Sequence, residues 1–289
     1  MSVMRIYGKG LQEALIRPQA VFVFWAVNVV FASAVYAVAA SVLAAPLARS
    51  LSGDALMSGQ ATDVLIEVLT GSGPALNALL TAAAALLGLY LFVSPFLYGG
   101  VLSELVRLRE AQGFAASFWA GGGKYYGRFF RVAALSLLLW VPAAFLFFLA
   151  GRGIAAAGPD PAREKVQFLL VLARIAIGLF LFFLVKMMLD YARIRIAVTE
   201  GRSALAALGW AVVFVVRKLV RTLALYYLLG LTALAGFAAY WLLQASFART
   251  TTAAVLSGFC LVQIHILWRC WIKVAYQAAE LKLYALEAH

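Results

Sequence analysis

Twenty consecutive residues from Val132 to Gly151, VAALSLLLWVPAAFLFFLAG, contain no charged side chain. A helix of about 20 apolar residues is long enough to cross the roughly 30 Å hydrocarbon core of a bilayer. Because backbone amides find no water in that core, a helix that satisfies them within one segment is favoured there. This stretch therefore predicts a membrane-spanning helix.

Five further apolar runs have the same character along the 289-residue chain. One of them, Val166–Val185, is interrupted by Arg174 alone, and the others carry no Asp, Glu, Lys or Arg: Pro18–Ala48, Val68–Ser103, Thr222–Ala248 and Thr250–Trp268. A shorter run, Ser203–Val216, fits an interfacial helix better than a span. We therefore expect an all-α fold, a polytopic transmembrane bundle of six helices with short interfacial helices, in a single membrane domain over residues 1–289.

The composition excludes several classes of protein. Hydrophobic residues make up 65% of the chain and charged residues 12%, against about 45–50% and about 25% in soluble domains. Disordered chains have few apolar residues, and two cysteines are too few for a disulfide scaffold. Cys260 and Cys270 point to different faces of one helix, so we expect neither a disulfide nor a metal site. With this composition the net charge of +12 indicates a lipid partner and no nucleic acid.

The basic residues alternate between the loops and so predict an orientation. Of the 24 Lys and Arg residues, 18 fall on the side of the N-terminus, five on the opposite side and one, Arg174, inside a span. Lys and Arg are retained in the cytoplasm during insertion. We therefore expect both termini in the cytoplasm, in a multi-pass membrane protein whose basic face meets anionic lipids.

An internal repeat is suggested by two matching segments at the ends of spans. Glu104–Arg109 reads ELVRLR and Asp190–Arg195 reads DYARIR, with acid and arginines at the same spacing. A glycine and a short amphipathic stretch follow each of them, and a similar stretch, Gly10–Leu15, precedes the first span. The repeating unit would be an interfacial helix and a transmembrane hairpin, used three times over residues 8–110, 113–198 and 201–287.

The matched segments are also the first candidate site. The acid and the first arginine are three residues apart and share one helix face, and Lys186 and Asp190 form a similar pair at a spacing of four. One interpretation is a salt-bridged helix extension, and the other is a docking site for anionic lipid or a protein partner. The candidate residues are Glu104, Arg107, Arg109, Asp190, Arg193 and Arg195.

A resemblance rests on the order of these segments. A basic amphipathic helix, a span entry at Arg17-Pro18, a hairpin, then DYARIR at Asp190–Arg195 and Gly201–Leu205 resemble a broad set of uncharacterised bacterial six-helix integral membrane proteins. The chain is similar, more distantly, to the membrane domain of bacterial glycerophosphodiester phosphodiesterases. The resemblance implies a bacterial cytoplasmic-membrane protein, and it supplies no catalytic residue.

Residues that carry chemistry are scarce. Gly121–Lys124 reads GGGK but lacks the other positions of a phosphate-binding loop, so we expect these glycines to join two helices flexibly. The sequence contains neither the His-Glu-x-x-His motif of a zinc-binding helix nor the Gly-x-Ser-x-Gly motif that presents a nucleophilic serine. The sequence predicts no catalytic residue, no metal and no cofactor.

The second candidate site lies inside the membrane. An unpaired arginine at the depth of Arg174 costs on the order of 2.5–3.5 kcal/mol, so its side chain should face protein, water or the outer surface. A hydrogen bond that fixes helix packing, a substrate or ion site, and snorkelling are the alternatives. The polar residues that form the candidate site with Arg174 are Asn28, Gln263 and His265.

Three hypotheses for function follow from these residues. The first is a non-catalytic accessory, scaffold or lipid-interacting protein whose basic cytoplasmic face binds anionic lipid or a membrane protein partner. The second is a small-molecule or lipid permease that recognises an anion with Arg174. The third is an intramembrane enzyme, which would need a nucleophile or an acid within about 3 Å of His265.

Overall fold

The computed structural model describes residues 2–48, 73–106, 113–156, 164–245 and 252–287. These residues are almost entirely helical, with no β-strand among them. The helices are α1 (Val3–Ile16), α2 (Pro18–Ala48), α3 (Gly73–Val106), α4 (Phe114–Leu135), α5 (Leu137–Ala156), α6 (Glu164–Thr199), α7 (Ala204–Arg217), α8 (Leu219–Ala245) and α9 (Thr252–Glu287).

Six segments of the described chain are long and apolar enough to cross a membrane, as the sequence predicts. They are Pro18–Ser41, Leu76–Val106, Phe114–Gly153, Lys165–Thr199, Leu219–Ala245 and Ala253–Glu287. Their apolar side chains are largely exposed, Leu138, Phe168 and Leu231 among them. A surface of this kind is stable in hydrocarbon and not in water. The chain is an all-α polytopic membrane protein.

The described helices follow a regular order along the chain. An amphipathic helix of 14, 22 or 14 residues comes before two apolar ones in α1–α2–α3, in α4–α5–α6 and in α7–α8–α9, and α4 runs on into the spanning segment Phe114–Gly153. The last helix of each set is the longest, with 34, 36 and 36 residues. At 1.5 Å per residue these helices are about 50 Å long, well beyond the hydrocarbon core. Each of them therefore has an end available for packing outside the core.

The chain divides into two compact units, each with a core of its own. The first comprises Met1–Ile16, Pro95–Leu231 and Val274–His289. Its most deeply buried side chains include Phe129, Tyr191 and Leu283. The second comprises Arg17–Ser94 and Thr232–Lys273. Phe24 and Cys270 are buried there.

The predicted flexible joint at the three glycines of Gly121–Gly123 is wrong. They lie in the middle of α4. A Cβ on Gly121 would overlap the side chain of Ser103, and one on Gly122 would lie 2.6 Å from the ring of Phe96. Ser103 donates a hydrogen bond to the carbonyl of Ser117, 3.0 Å away. The glycines therefore allow α4 to lie directly against α3, which compensates for their weak helix propensity.

A turn with an unusual residue connects α6 to α7. Glu200 has a φ of 55°, a left-handed conformation rare outside glycine. Two side chains of α4 hold this turn: Lys124 forms an ion pair with the Glu200 carboxylate, and Arg128 donates to the Glu200 carbonyl at 3.0 Å. The Ser203 hydroxyl then accepts from the amide of Ala206 and caps α7.

Candidate functional site

A buried cluster of charged residues lies on α6. The Asp190 carboxylate accepts a hydrogen bond from Arg193 at 3.0 Å, and the ammonium of Lys186 is 3.7 Å from its other oxygen. The spacings of three and four residues in the sequence predict both pairs. The Arg193 side chain is only 12% exposed. This burial distinguishes the cluster from the solvated ion pairs that contribute little to stability.

A tyrosine from α3 covers the same cations. The guanidinium carbon of Arg193 lies 4.6 Å from the ring centroid of Tyr98, and the Lys186 ammonium lies 6.0 Å from it. A cation at this distance is attracted by the negative face of the ring. Tyr98 therefore links α3 to the charged part of α6.

Two further polar residues of the cluster come from α9, and the sequence analysis missed both. Glu280 is 2% exposed and Gln277 is 6% exposed. In the described chain neither carboxylate oxygen of Glu280 and neither amide atom of Gln277 has a hydrogen-bond partner. Both line a cavity of about 10 Å³ together with Asp190 and Arg193. A cavity of this size holds about one water molecule.

A signal for Glu280 was present in the sequence. Glu104, Asp190 and Glu280 are each an acid near the end of the last and longest helix of a set. In the two matched segments an arginine follows the acid after three residues, whereas Glu280 is followed by Lys282 after two. A search for the ELVRLR spacing therefore passes over this third acid.

The cations of the cluster are already engaged. The Asp190 carboxylate contacts both Lys186 and Arg193. This favours the joining of α3, α6 and α9 over the capture of an anion from outside, because a free anion would compete with Asp190 for Arg193. The cluster has the geometry of a structural centre.

The remaining residues of the predicted cytoplasmic site differ in their surroundings. Arg195 places its guanidinium carbon 4.4 Å from the ring centroid of Trp210 on α7. Glu104 is half-buried in the last turn of α3. Arg107 and Arg109 lie outside the described residues. Of the predicted arginines that the structure describes, both are engaged within the protein.

Arg174 of the predicted intramembrane site lies on the exposed surface of α6. Its guanidinium carbon is 4.9 Å from the ring centroid of Phe147. A Cβ on Gly151 would lie 2.8 Å from the same carbon. Both contacts come from α5, where the missing side chain of Gly151 makes room for the guanidinium. Packing on an aromatic ring and a glycine therefore holds Arg174 in place.

Asn28 and Gln263 each form a hydrogen bond between α2 and α9. The amide of Asn28 donates to the sulfur of Cys270 at 3.3 Å. Gln263 accepts from the indole of Trp25 at 3.0 Å. Polar bonds of this kind fix the packing of helices in membranes. These contacts agree with the structural interpretation of the two residues.

His265 stands among aromatic rings. Its ring stacks on Tyr240 with centroids 4.5 Å apart, and Phe237 is 5.9 Å away. With Tyr240, Gly236 and Trp268 it lines a cavity of about 370 Å³, mostly bounded by apolar side chains of α8 and α9. An apolar lining of this kind favours the binding of a hydrocarbon chain over that of a polar substrate.

Metal-ligating and nucleophilic groups are dispersed across the described ranges. No group of three His, Cys, Asp or Glu residues in them could hold a metal ion. Cys260 is an exposed free thiol and Cys270 a buried one. In comparisons with known proteins, no family model, no curated protein and no solved structure matches this chain.

Proposed function

We propose that this chain is a non-catalytic membrane protein, an accessory or scaffold component whose cytoplasmic face binds anionic lipid or a protein partner. One observation carries the proposal: the three amphipathic helices α1, α4 and α7 each expose large apolar side chains beside basic ones.

The apolar pairs recur at one spacing. The exposed pairs are Met4 and Leu15 on α1, Trp119 and Phe130 on α4, and Leu205 and Val216 on α7. Each pair is eleven residues apart, which is close to three turns and places its members on the same helix face. The six side chains are between 42% and 67% exposed, so the described part of the chain leaves much of this face open.

The opposite face of each helix is buried. On α1 the buried residues are Ile6, Gly10 and Ala14, one turn apart. On α7 they include Ala207 and Ala211. A helix that packs on protein with one face and exposes large apolar groups on another is typical of the membrane interface. In water the exposed face would be unfavourable.

Basic residues accompany the exposed pairs. Arg131 follows Phe130 directly and Arg217 follows Val216, while Arg5 and Lys9 lie near Met4 on α1. All four are exposed, and none forms an ion pair with an acidic residue of the described chain. A basic residue near an anionic leaflet contributes about 1 kcal/mol to binding. We name these four residues the interfacial cations.

A permease that uses Arg174 is the second hypothesis from the sequence. The contacts of Arg174 are the ring of Phe147 and the backbone of Gly151. Neither supplies a hydrogen-bonding group that would join Arg174 in recognising an anion. We therefore prefer the non-catalytic, lipid-interacting function.

The test measures how an anionic lipid stabilises the purified chain. The interfacial cations are replaced together in the variant Arg5→Gln, Lys9→Gln, Arg131→Gln and Arg217→Gln. The melting temperature is recorded in mild detergent with phosphatidylglycerol or phosphatidylcholine added. We expect phosphatidylglycerol to stabilise the wild type at several-fold lower concentration than it does the variant, because the variant has lost four attractive charges.

The matched control replaces Arg152 and Lys165 by Gln. Both are exposed basic residues, and both lie on the side that the charge pattern places outside the cell. The control should respond to phosphatidylglycerol like the wild type. An unchanged response of the four-residue variant, or an equal effect of phosphatidylcholine, would contradict the lipid function.

A further inference from the structure

A basic cavity in the second unit shares Asn28 with the predicted intramembrane site, and its two cations belong to neither candidate site. It measures about 190 Å³ and is lined by Asn28, Ala32, Ile266, Arg269, Cys270 and Lys273. This is many times the volume of the cavity beside Glu280, which holds about one water molecule, so it has room for a small polar group. Its described lining contains two cations and no Asp or Glu. We call it the Arg269 cavity.

The two cations are placed unfavourably for each other. Arg269 and Lys273 are four residues apart on α9 and share one face, where like charges destabilise a helix. Arg269 is exposed, and the described chain gives it no ion-pair partner. An anion between the two groups would turn this repulsion into attraction. The arrangement therefore favours a negatively charged ligand.

Lys273 is held in position by aromatic residues. Its ammonium donates to the hydroxyl of Tyr90 at 3.0 Å. It also lies 5.5 Å from the ring centroid of Phe24 and 5.7 Å from that of Tyr90. The ammonium has three N–H donors, and Tyr90 uses one of them. A fixed cation with donors to spare loses little entropy when it binds a ligand.

Counted along α9, the cations of the cavity lie near the level of the lipid headgroups. Arg269 follows the first residue of α9 by 17 positions, which is about 26 Å along the helix at 1.5 Å per residue. That distance is close to the thickness of the hydrocarbon core. Trp268 and Trp271 flank Arg269, as aromatic residues do at the boundary between hydrocarbon and headgroups.

We infer that the Arg269 cavity binds the phosphate of an anionic phospholipid, with Arg269 and Lys273 as its cationic ligands. The Asn28 amide lies beside them and donates at present to the weakly accepting sulfur of Cys270. The inference rests on the proposed lipid function and deepens it. The interfacial cations would attract an anionic leaflet, and this cavity would hold a single anionic lipid.

The experiment titrates the full-length chain in mild detergent with short-chain phosphatidylglycerol. Binding is followed by the melting temperature and by counting lipid adducts in native mass spectrometry. We expect one adduct that saturates on the wild type, with an apparent affinity at least tenfold lower in Arg269→Gln and in Lys273→Gln. Arg269→Lys, which keeps the charge, should retain most of the binding.

Two other ligands identify the source of the phosphate. Inorganic phosphate and phosphatidylcholine are titrated under the same conditions. We expect neither to give a saturating shift at the concentration at which phosphatidylglycerol does. A shift by inorganic phosphate that depends on Arg269 would overturn the lipid assignment in favour of a free anion. An equal effect of phosphatidylcholine would overturn the preference for anionic lipid.

The variant of the interfacial cations separates this inference from the proposed function. If it loses general stabilisation by phosphatidylglycerol but keeps the single adduct, both statements hold. If Arg269→Gln keeps that adduct, the cavity assignment is overturned while the proposed function stands. Lys273→Gln also removes the hydrogen bond to Tyr90 and can lower the melting temperature without lipid. In that case the result for Arg269→Gln decides, because Arg269 is exposed and its replacement should not affect folding.

Discussion

At the scale of single residues, the main feature is that two buried acids, Asp190 and Glu280, differ in their polar partners. Asp190 pairs with Arg193 and Lys186. Glu280 has no hydrogen-bond partner for either oxygen in the described chain. A buried acid without hydrogen-bond donors lowers the stability of the fold. A buried acid that contacts two cations is compensated, and its removal lowers stability because the cations are then left without a partner. Neutralising Asp190 should therefore affect stability much more than neutralising Glu280.

We predict that Asp190→Asn lowers the free energy of unfolding by roughly 3–5 kcal/mol, because it leaves Arg193 buried and without its carboxylate. Glu280→Gln preserves the shape and should change stability by less than about 1 kcal/mol, since no hydrogen bond is lost. Thermal unfolding in detergent compares the two variants with the wild type. A Gln variant that is as unstable as the Asn variant would show that Glu280 is paired as tightly as Asp190.

At the scale of helices, close backbone approach positions α1. A Cβ on Gly10 would lie 2.5 Å from the Cβ of Ala279 on α9. Lys282 of α9 forms an ion pair with Glu13 at 2.8 Å and donates to the carbonyl of Lys9 at 3.2 Å. This contact holds the buried face of α1 on α9, and so leaves the apolar and basic face exposed.

Two glycines of α1 offer a matched test of that contact. A Cβ on Gly8 would meet nothing within 4 Å, in contrast to one on Gly10. Gly8→Ala should stabilise the protein by about 0.5–1 kcal/mol, the usual gain in helix propensity. Gly10→Ala should destabilise it, because overpacking costs about 1–3 kcal/mol. The melting temperatures should move in opposite directions, and a shared direction would mean that α1 is not packed on α9 in this way.

At the scale of the whole molecule, charge distribution predicts the orientation. The structure accounts for part of the basic excess: Lys218 and Arg221 pair with Glu287, and Lys124 pairs with Glu200. The interfacial cations stay exposed on the amphipathic helices α1, α4 and α7. Because Lys and Arg are retained on the cytoplasmic side, these helices should lie there.

Reporter fusions test this orientation. Alkaline phosphatase fused after Ala156 or after Ala245 should be active, since both positions follow an outward crossing in the proposed topology. A green fluorescent protein fused after the last residue should fluoresce, because that end is expected in the cytoplasm. Activity in the reverse pattern would invert the assigned faces and would remove the cytoplasmic lipid function, while leaving the six helices unaffected.

The fold class was accessible from the chain alone. Apolar runs such as Val132–Gly151 predict spans because crossing a bilayer depends on length and local composition. The pairs of Asp190 with Arg193 and Lys186 were also predictable, since neighbours on one helix follow from spacing. The helical state of Gly121–Gly123 was not, because the compensating contacts with Ser103 and Phe96 come from another helix.

The packing of helices determined which charges are available for function. Arg193 and Arg195 belong to the matched motif, yet Asp190 and Trp210 engage them. Arg269 and Lys273 belong to no motif and to neither candidate site of the sequence, yet they line one cavity with Asn28. The pattern of apolar and charged residues along the chain predicts whether each segment is stable in water or in lipid. The partner of a charged side chain depends on distances between residues far apart in sequence, and those exist only once the helices have packed.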